Sequence, residues 1–195
     1  MSVSHVTDPL VGKYLNALLD RVQYQILQHT DGTLLVNQRL LQKILDGDAF
    51  AAGWRVDGVA SGSSTYFQFE NPSGSGVYAN IIMISITGTG NARINMYTYD
   101  QVTINTPGTA VTPLNLNPST GKSAKCVLRY GGSYTLGTPR IEQVLPGGSK
   151  VRAVGASMFT DLNLRMPSDF YVLIEVVNQS GSSEDFSIKV IWWEE

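Results

Sequence analysis

The chain has 195 residues, a charged fraction of 15%, and 14 basic against 16 acidic side chains. That length suits one β domain with an appendage and is tight for two full domains, and the abundance of turn formers argues for a compact fold rather than disorder. A formal charge of −2 offers no electrostatic footprint for a phosphate backbone, so direct nucleic-acid binding is not expected.

From residue 9 to about 30 the apolar positions Leu10, Val11, Tyr14, Leu15, Leu18, Leu19, Val22, Ile26 and Leu27 recur at steps of three and four, which is helical periodicity. Asp8 before Pro9 is a start signal and Asp31-Gly32 a stop. A second, shorter helix is expected over 38–45, capped by Asn37 and ended by Asp46-Gly47-Asp48. A lone helix of about 20 residues is marginal in water, so the first stripe must lie on something. Its own sandwich, the same arm of sister subunits and another protein are the candidates. Residues 1–50 therefore read as a helical N-terminal arm, and 51–195 as the main domain.

After Trp54 the period becomes two. Residues 65–70 alternate, with Thr65, Phe67 and Phe69 on the expected inner face and Tyr66, Gln68 and Glu70 outside. Strands are likewise expected over 77–87, 92–99, 110–116, 124–130, 141–145, 151–154, 170–178 and 186–193. Turn clusters separate them, among them Asn71-Pro72-Ser73-Gly74-Ser75-Gly76, Gly88-Thr89-Gly90-Asn91 and Gln179-Ser180-Gly181-Ser182, the first two read as hairpin loops. No crossover helix lies among them, so the fold class is mainly β: an antiparallel β-sandwich, jelly-roll-like, with a helical arm.

Two strands are apolar on both faces. In 77–86, Tyr78, Ile82, Ile84 and Ile86 fall on one side and Val77, Ala79, Ile81 and Met83 on the other; 170–177 behaves alike apart from Glu175. Such strands expect cover on both sides, from the arm, a neighbouring subunit or a long loop. The expected interface set is Leu15, Leu18, Val22, Ile26, Ile81, Met83 and Trp193, the last because one of the adjacent Trp192 and Trp193 must point outward.

Chemistry is sparsely supplied. The two histidines, His5 and His29, lie in the arm, and His29 suits the negative end of the first helix. Neither a nucleophile elbow nor a phosphate loop nor a calcium loop occurs, and nothing selects a catalytic pair from Glu70, Asp100, Glu142, Asp161, Asp169 and Glu175. Glu175, in an apolar strand, is expected to need a partner such as an arginine. Cys126 has no partner for a disulfide and is expected to pack as a small apolar residue. No catalytic, cofactor-binding or metal-binding residues are assigned, and the chain is not expected to be an enzyme. The start lacks the basic and apolar segments of a secretory signal, and the longest apolar run, 81–84, is far short of the ~18 residues that span a bilayer. Neither export nor a membrane partner is expected.

A helical N-terminus, the run Phe69-Glu70-Asn71-Pro72-Ser73-Gly74-Ser75-Gly76 before an apolar strand, and the closing Trp192-Trp193-Glu194-Glu195 together resemble small virion structural proteins of tailed bacteriophages. These are head decoration, fibre or minor capsid proteins with jelly-roll-like domains. The resemblance implies a homo-oligomer, trimer favoured, attached to capsid or other virion proteins, made in the host cytoplasm and located in the virion. It brings no catalytic residues. The alternative reading is a carbohydrate- or ligand-binding β-sandwich module, in which strand aromatics such as Tyr97, Tyr99, Tyr130, Tyr134 and Tyr171 stack on sugars or anchor a partner.

Overall fold

The computed structural model describes residues 33–146 and 155–195, with side chains from 39 to 146 and from 164 onward. The expected helix over 9–30, the strand over 151–154, both histidines and the arm residues Leu15, Leu18, Val22 and Ile26 lie outside the described residues. The chain divides between Gln42 and Lys43 into two compact units; of the first, only the start of a helix is described, and the second holds every described strand.

Helix α1 spans Thr33–Leu45 and so begins before the expected cap at Asn37. No glycine or proline interrupts 33–45, and an interior asparagine costs a helix only a few tenths of a kcal/mol, ~0.7 at most. Its end follows the sequence signal. Gly47, at φ +76°, donates to the Ile44 carbonyl at 3.0 Å, and Asp48 N–H reaches the Lys43 carbonyl at 2.9 Å, a Schellman closure. Asn117 Nδ2 donates to the Leu45 carbonyl at 3.0 Å and Asn115 Nδ2 to that of Gly47, also at 3.0 Å, so the helix end is fastened to the domain.

Thirteen strands follow: β1 (Ala49–Val59), β2 (Ser64–Asn71), β3 (Ala79–Gly88), β4 (Ala92–Thr98), β5 (Val102–Thr106), β6 (Thr109–Val111), β7 (Leu114–Asn115), β8 (Val127–Tyr130), β9 (Ser133–Leu136), β10 (Ile141–Leu145), β11 (Gly155–Met166), β12 (Phe170–Asn178) and β13 (Glu184–Glu194). All described pairings are antiparallel. A five-stranded sheet has the order β11-β3-β13-β1-β7, a six-stranded sheet β10-β4-β12-β2-β8-β6, and β5 pairs with β9 alone. Phe50, Ile81, Ile84, Val190 and Trp192 from the first sheet and Phe67, Phe69, Ile94, Val172 and Ile174 from the second enter one buried core. Two antiparallel sheets closed on one core make a β-sandwich.

In β2 Phe67 and Phe69 enter the core as expected, with Tyr66 and Glu70 on the other face, but Gln68, expected outside, is fully buried and accepts from Tyr134 Oη at 3.1 Å. The segment expected as one strand over 110–116 is two short strands, β6 and β7, because Pro113 between them has no N–H for a ladder. The turns at 72–78 and 89–91, expected as hairpin loops, instead carry the chain from one sheet to the other: β2 and β4 lie in the six-stranded sheet and β3 in the five-stranded one. Local turn chemistry fixes a reversal but not the sheet that receives the next strand. Gly74 and Gly76 do take the positive φ read from the sequence, +74° and +73°. Asn71 locks the crossing by donating through Nδ2 to the carbonyls of Val77 (2.8 Å) and Met166 (3.1 Å).

In β3 the expected faces are mixed. Both neighbours lose register at Ile82, where β13 pairs Ile191 with Met83 and then Trp192 with Ile81. This bulge turns Ile81 inward with Ile84 and Ile86 and leaves Met83 on the outer face. Ile81, at 1% exposure, is therefore a core residue and not part of an interface.

The outward side of β12 is covered by the chain itself. The two-stranded β5–β9 ribbon lies over the six-stranded sheet, where Tyr97, Val102 and Leu173 form a second small core with Tyr66, Tyr134, Leu136 and Tyr171 packed around it. Tyr171 Oη donates to the Val102 carbonyl at 2.6 Å, and Arg140 pairs with Asp100 at 2.5 Å where the excursion returns. A hydrogen bond from Thr98 Oγ1, and then Arg140, holds the Asp100 carboxyl below its usual value.

Candidate interaction surface

The two outer faces of the sandwich differ. That of the six-stranded sheet carries the β5–β9 ribbon and a polar network centred on Glu175, which is 8% exposed. Glu175 Oε2 accepts from Asn95 Nδ2 at 2.8 Å and Tyr97 Oη at 3.0 Å, and Oε1 accepts from Ser64 Oγ at 2.8 Å. The expected arginine partner is replaced by neutral donors from β2 and β4, the strands on either side of β12. Hydrogen bonding to several donors compensates a buried carboxylate without a counter-charge. Burial, followed by the bond to Glu175, pushes the Tyr97 phenol up to about 12.

Two further carboxylates are buried and engaged. Glu194, 7% exposed, accepts from the backbone N–H of Lys125 (3.0 Å) and Cys126 (2.9 Å) and from the Trp192 indole (3.0 Å), tying the entry to β8 to the C-terminal strand. Burial, with Glu194 close by, drives the Cys126 thiol far up, so the buried cysteine packs as the sequence suggests. Glu184 accepts from Thr89, Ser180 and Ser182 hydroxyls and joins the loops at one end of the sandwich. Among the described residues no group of three or more His, Cys, Asp or Glu is placed to hold a metal, and no helix is long and apolar enough to cross a membrane.

The outer face of the five-stranded sheet is built differently. Phe50, Ala52, Val190, Trp192, Ile84 and Ile86 point into the core, so the alternate residues face out. In register across β7, β1, β13 and β3 they form an apolar row: Leu114, Ala51, Ile191 and Met83. Leu114 is 62% exposed and the other three are half-buried. The next rows turn polar, Gly53-Lys189-Ser85 and then Arg55-Ser187-Thr87, with the Thr87 and Ser187 hydroxyls 2.6 Å apart. Arg55 pairs there with Asp57 and, at 2.7 Å, with Asp185.

Of the expected interface residues, Met83 lies on this row. Trp193 stands one row further, paired with Ala49 and Asn80, and at 6% exposure is covered. Leu114, Ala51 and Ile191 were not singled out by sequence, because their alignment arises only when four strands come into register. Comparison with protein-family models and with curated proteins gives no match to this chain.

Proposed function

We propose that the chain is a jelly-roll structural protein of a virion, working through contacts between copies and with neighbouring capsid proteins rather than by catalysis. The strand orders β1-β13-β3-β11 and β2-β12-β4-β10 support the jelly-roll reading, since the chain changes sheet at every step of these eight strands except from β4 to β10, as in that fold. The remaining strands belong to the excursion between β4 and β10. Fold alone does not choose among the functions that jelly rolls serve. The observation that carries the assembly reading is the apolar row Leu114-Ala51-Ile191-Met83 on the outer face of the five-stranded sheet. Its occupant in this reading is a second copy of the chain, in a trimer.

Light scattering across a dilution series tests it. The wild type is expected to be oligomeric, and Met83→Asp and Ile191→Asp to dissociate it while far-ultraviolet circular dichroism stays unchanged. A wild type that is monomeric at high concentration removes the reading. For the virion assignment, the chain is expected among the proteins of purified particles from its source.

A further inference from the structure

Trp54 differs from the other two tryptophans. Trp192 is fully buried and Trp193 is 6% exposed, whereas Trp54 is 41% exposed. On β1 it follows the alternation of Phe50 and Ala52, which enter the core. At its height, however, the strand beyond β1 is missing, because β7 pairs only with Phe50 and Ala51. The indole therefore emerges at the open side of the sandwich. Tyr130, from β8 in the opposite sheet, lies against it with ring centroids 4.4 Å apart and planes inclined by 15°. This parallel stack fixes the plane of the indole and covers one face, so the exposure that remains belongs to the other face and the rim.

The surroundings are neutral and rich in hydrogen-bonding groups. Thr109 on β6 is exposed and stands opposite Tyr130 in the ladder. Both β6 and the 52–58 stretch of β1 have one side without a strand partner among the described residues, which leaves backbone N–H and C=O groups along the rim. The arginines next in sequence to the two rings are both paired with carboxylates, Arg55 with Asp57 and Asp185 on the other face of β1, and Arg129 with Glu70 at 2.8 Å.

We propose that Trp54, backed by Tyr130, is a binding platform for a neutral pyranose unit of a glycan. The C–H face of a pyranose is weakly positive and matches the negative face of an indole. Its hydroxyls find donors and acceptors in Thr109 and the two strand edges. Nucleobases would stack as well, but the chain carries a charge of −2 and the rim has no unpaired cation to draw a polyanion. A single platform of this kind binds weakly, in the millimolar range, and an oligomer presenting several copies gains avidity toward a polymeric glycan. The site lies apart from the apolar row and does not depend on the assembly reading.

The test titrates the full-length protein with chitotriose, maltotriose, cellotriose and galactotriose while tryptophan emission and acrylamide quenching are followed. Trp54 is the exposed indole, so it dominates quenching. At least one neutral oligosaccharide is expected to shift the emission to the blue and to protect against acrylamide at millimolar concentration. Because Trp54→Ala lacks the reporting indole, the variants are read by saturation-transfer NMR of the sugar: Trp54→Ala, shown folded by circular dichroism, is expected to lose binding at least tenfold, and Tyr130→Leu to weaken it. No response of the wild type to any of the four sugars, or sugar binding by NMR that survives Trp54→Ala, overturns the proposal. Emission that changes only with protein concentration or with an added peptide also overturns it, because the ring is then a protein contact.

Discussion

Tyr97 on β4 points its hydroxyl at Glu175 on the adjacent strand β12, 3.0 Å away, on the face that the β5–β9 ribbon covers. The carboxylate collects donors from β2 and β4 at once, so it acts as a clasp across three neighbouring strands. Removing it strands three donors, two of them on the buried Asn95 and Tyr97. Glu175→Ala is therefore expected to cost about 3 kcal/mol, the upper part of the range for unsatisfied buried groups, and Tyr97→Phe, which deletes one hydrogen bond, about 1 kcal/mol. Urea unfolding of the two variants against wild type checks the order. Equal losses would mean that Glu175 does not unite the network.

Alkaline pH should weaken the fold before most surface groups matter. Tyr97 and Tyr134 have phenols pushed from the ordinary 10.0 up to about 12, mainly by burial, so the native state holds these protons more tightly than the unfolded chain does. For a raised pKa the stability is fully present below pH 10 and is lost as pH rises toward 12. Thermal midpoints are expected to fall across that window, and phenolate absorbance to show Tyr97 and Tyr134 ionising last, together with unfolding. The Tyr97→Phe variant should show a shallower fall. A midpoint that stays level between pH 10 and 12 would contradict the assignment.

Much of this architecture is legible in the residues. Alternation in 65–70 gave the correct inner face, and Gly47 gave the helix end, because both signals are local. Strand β1 was hidden in Ala49, Ala51, Ala52 and Gly53, residues with little intrinsic preference for strands. It forms because Phe186 to Trp193 on β13 supply the partner and the burial. The bulge at Ile82 inverted the faces assigned to Ile81 and its neighbours, and no local residue marks it. The cover that the doubly apolar 170–177 strand demands comes at Leu173 from the β5–β9 ribbon, which is distant in sequence and marked by no local pattern. Trp54 drew no attention because a lone tryptophan beside an apolar run reads as core; only the short length of β7 leaves it in the open.

Gly88 ends β3 directly beneath the aromatic layer. A Cβ there would lie 2.4 Å from Phe186 Cδ1, 2.6 Å from its Cε1 and 3.1 Å from Leu145 Cδ2. Both are fully buried, so neither can step aside into solvent. Gly88→Ala is expected to destabilise by about 1–3 kcal/mol, the range for overpacking a tight core. Paired with Phe186→Leu, it should recover part of that loss in urea unfolding; strictly additive losses would show that the glycine is not there for the ring.

Glu194 offers the sharpest local test, because its loss should expose a reporter. Its Oε1 accepts from Cys126 N–H at 2.9 Å and from the Trp192 indole at 3.0 Å, and both oxygens accept from Lys125 N–H. A glutamine keeps one acceptor oxygen and turns the other into a donor facing N–H groups. Glu194→Gln is thus expected to cost about 1–3 kcal/mol. The effect should concentrate where the chain enters β8, since the carboxylate fastens that segment to β13. Cys126 is fully buried there, and its thiol is held protonated by burial and by the nearby carboxylate. In the wild type it is expected to react with a disulfide reagent only on global unfolding. In Glu194→Gln two effects should raise its rate together: freer opening of the segment, and loss of the negative charge that disfavours the thiolate. Amide exchange at Lys125 and Cys126 separates them. Faster exchange at both positions, with the ends of β3 and β12 unchanged, assigns the rate to local opening; unchanged exchange with a faster thiol assigns it to charge, and no change in either would remove Glu194 from its role as a fastener.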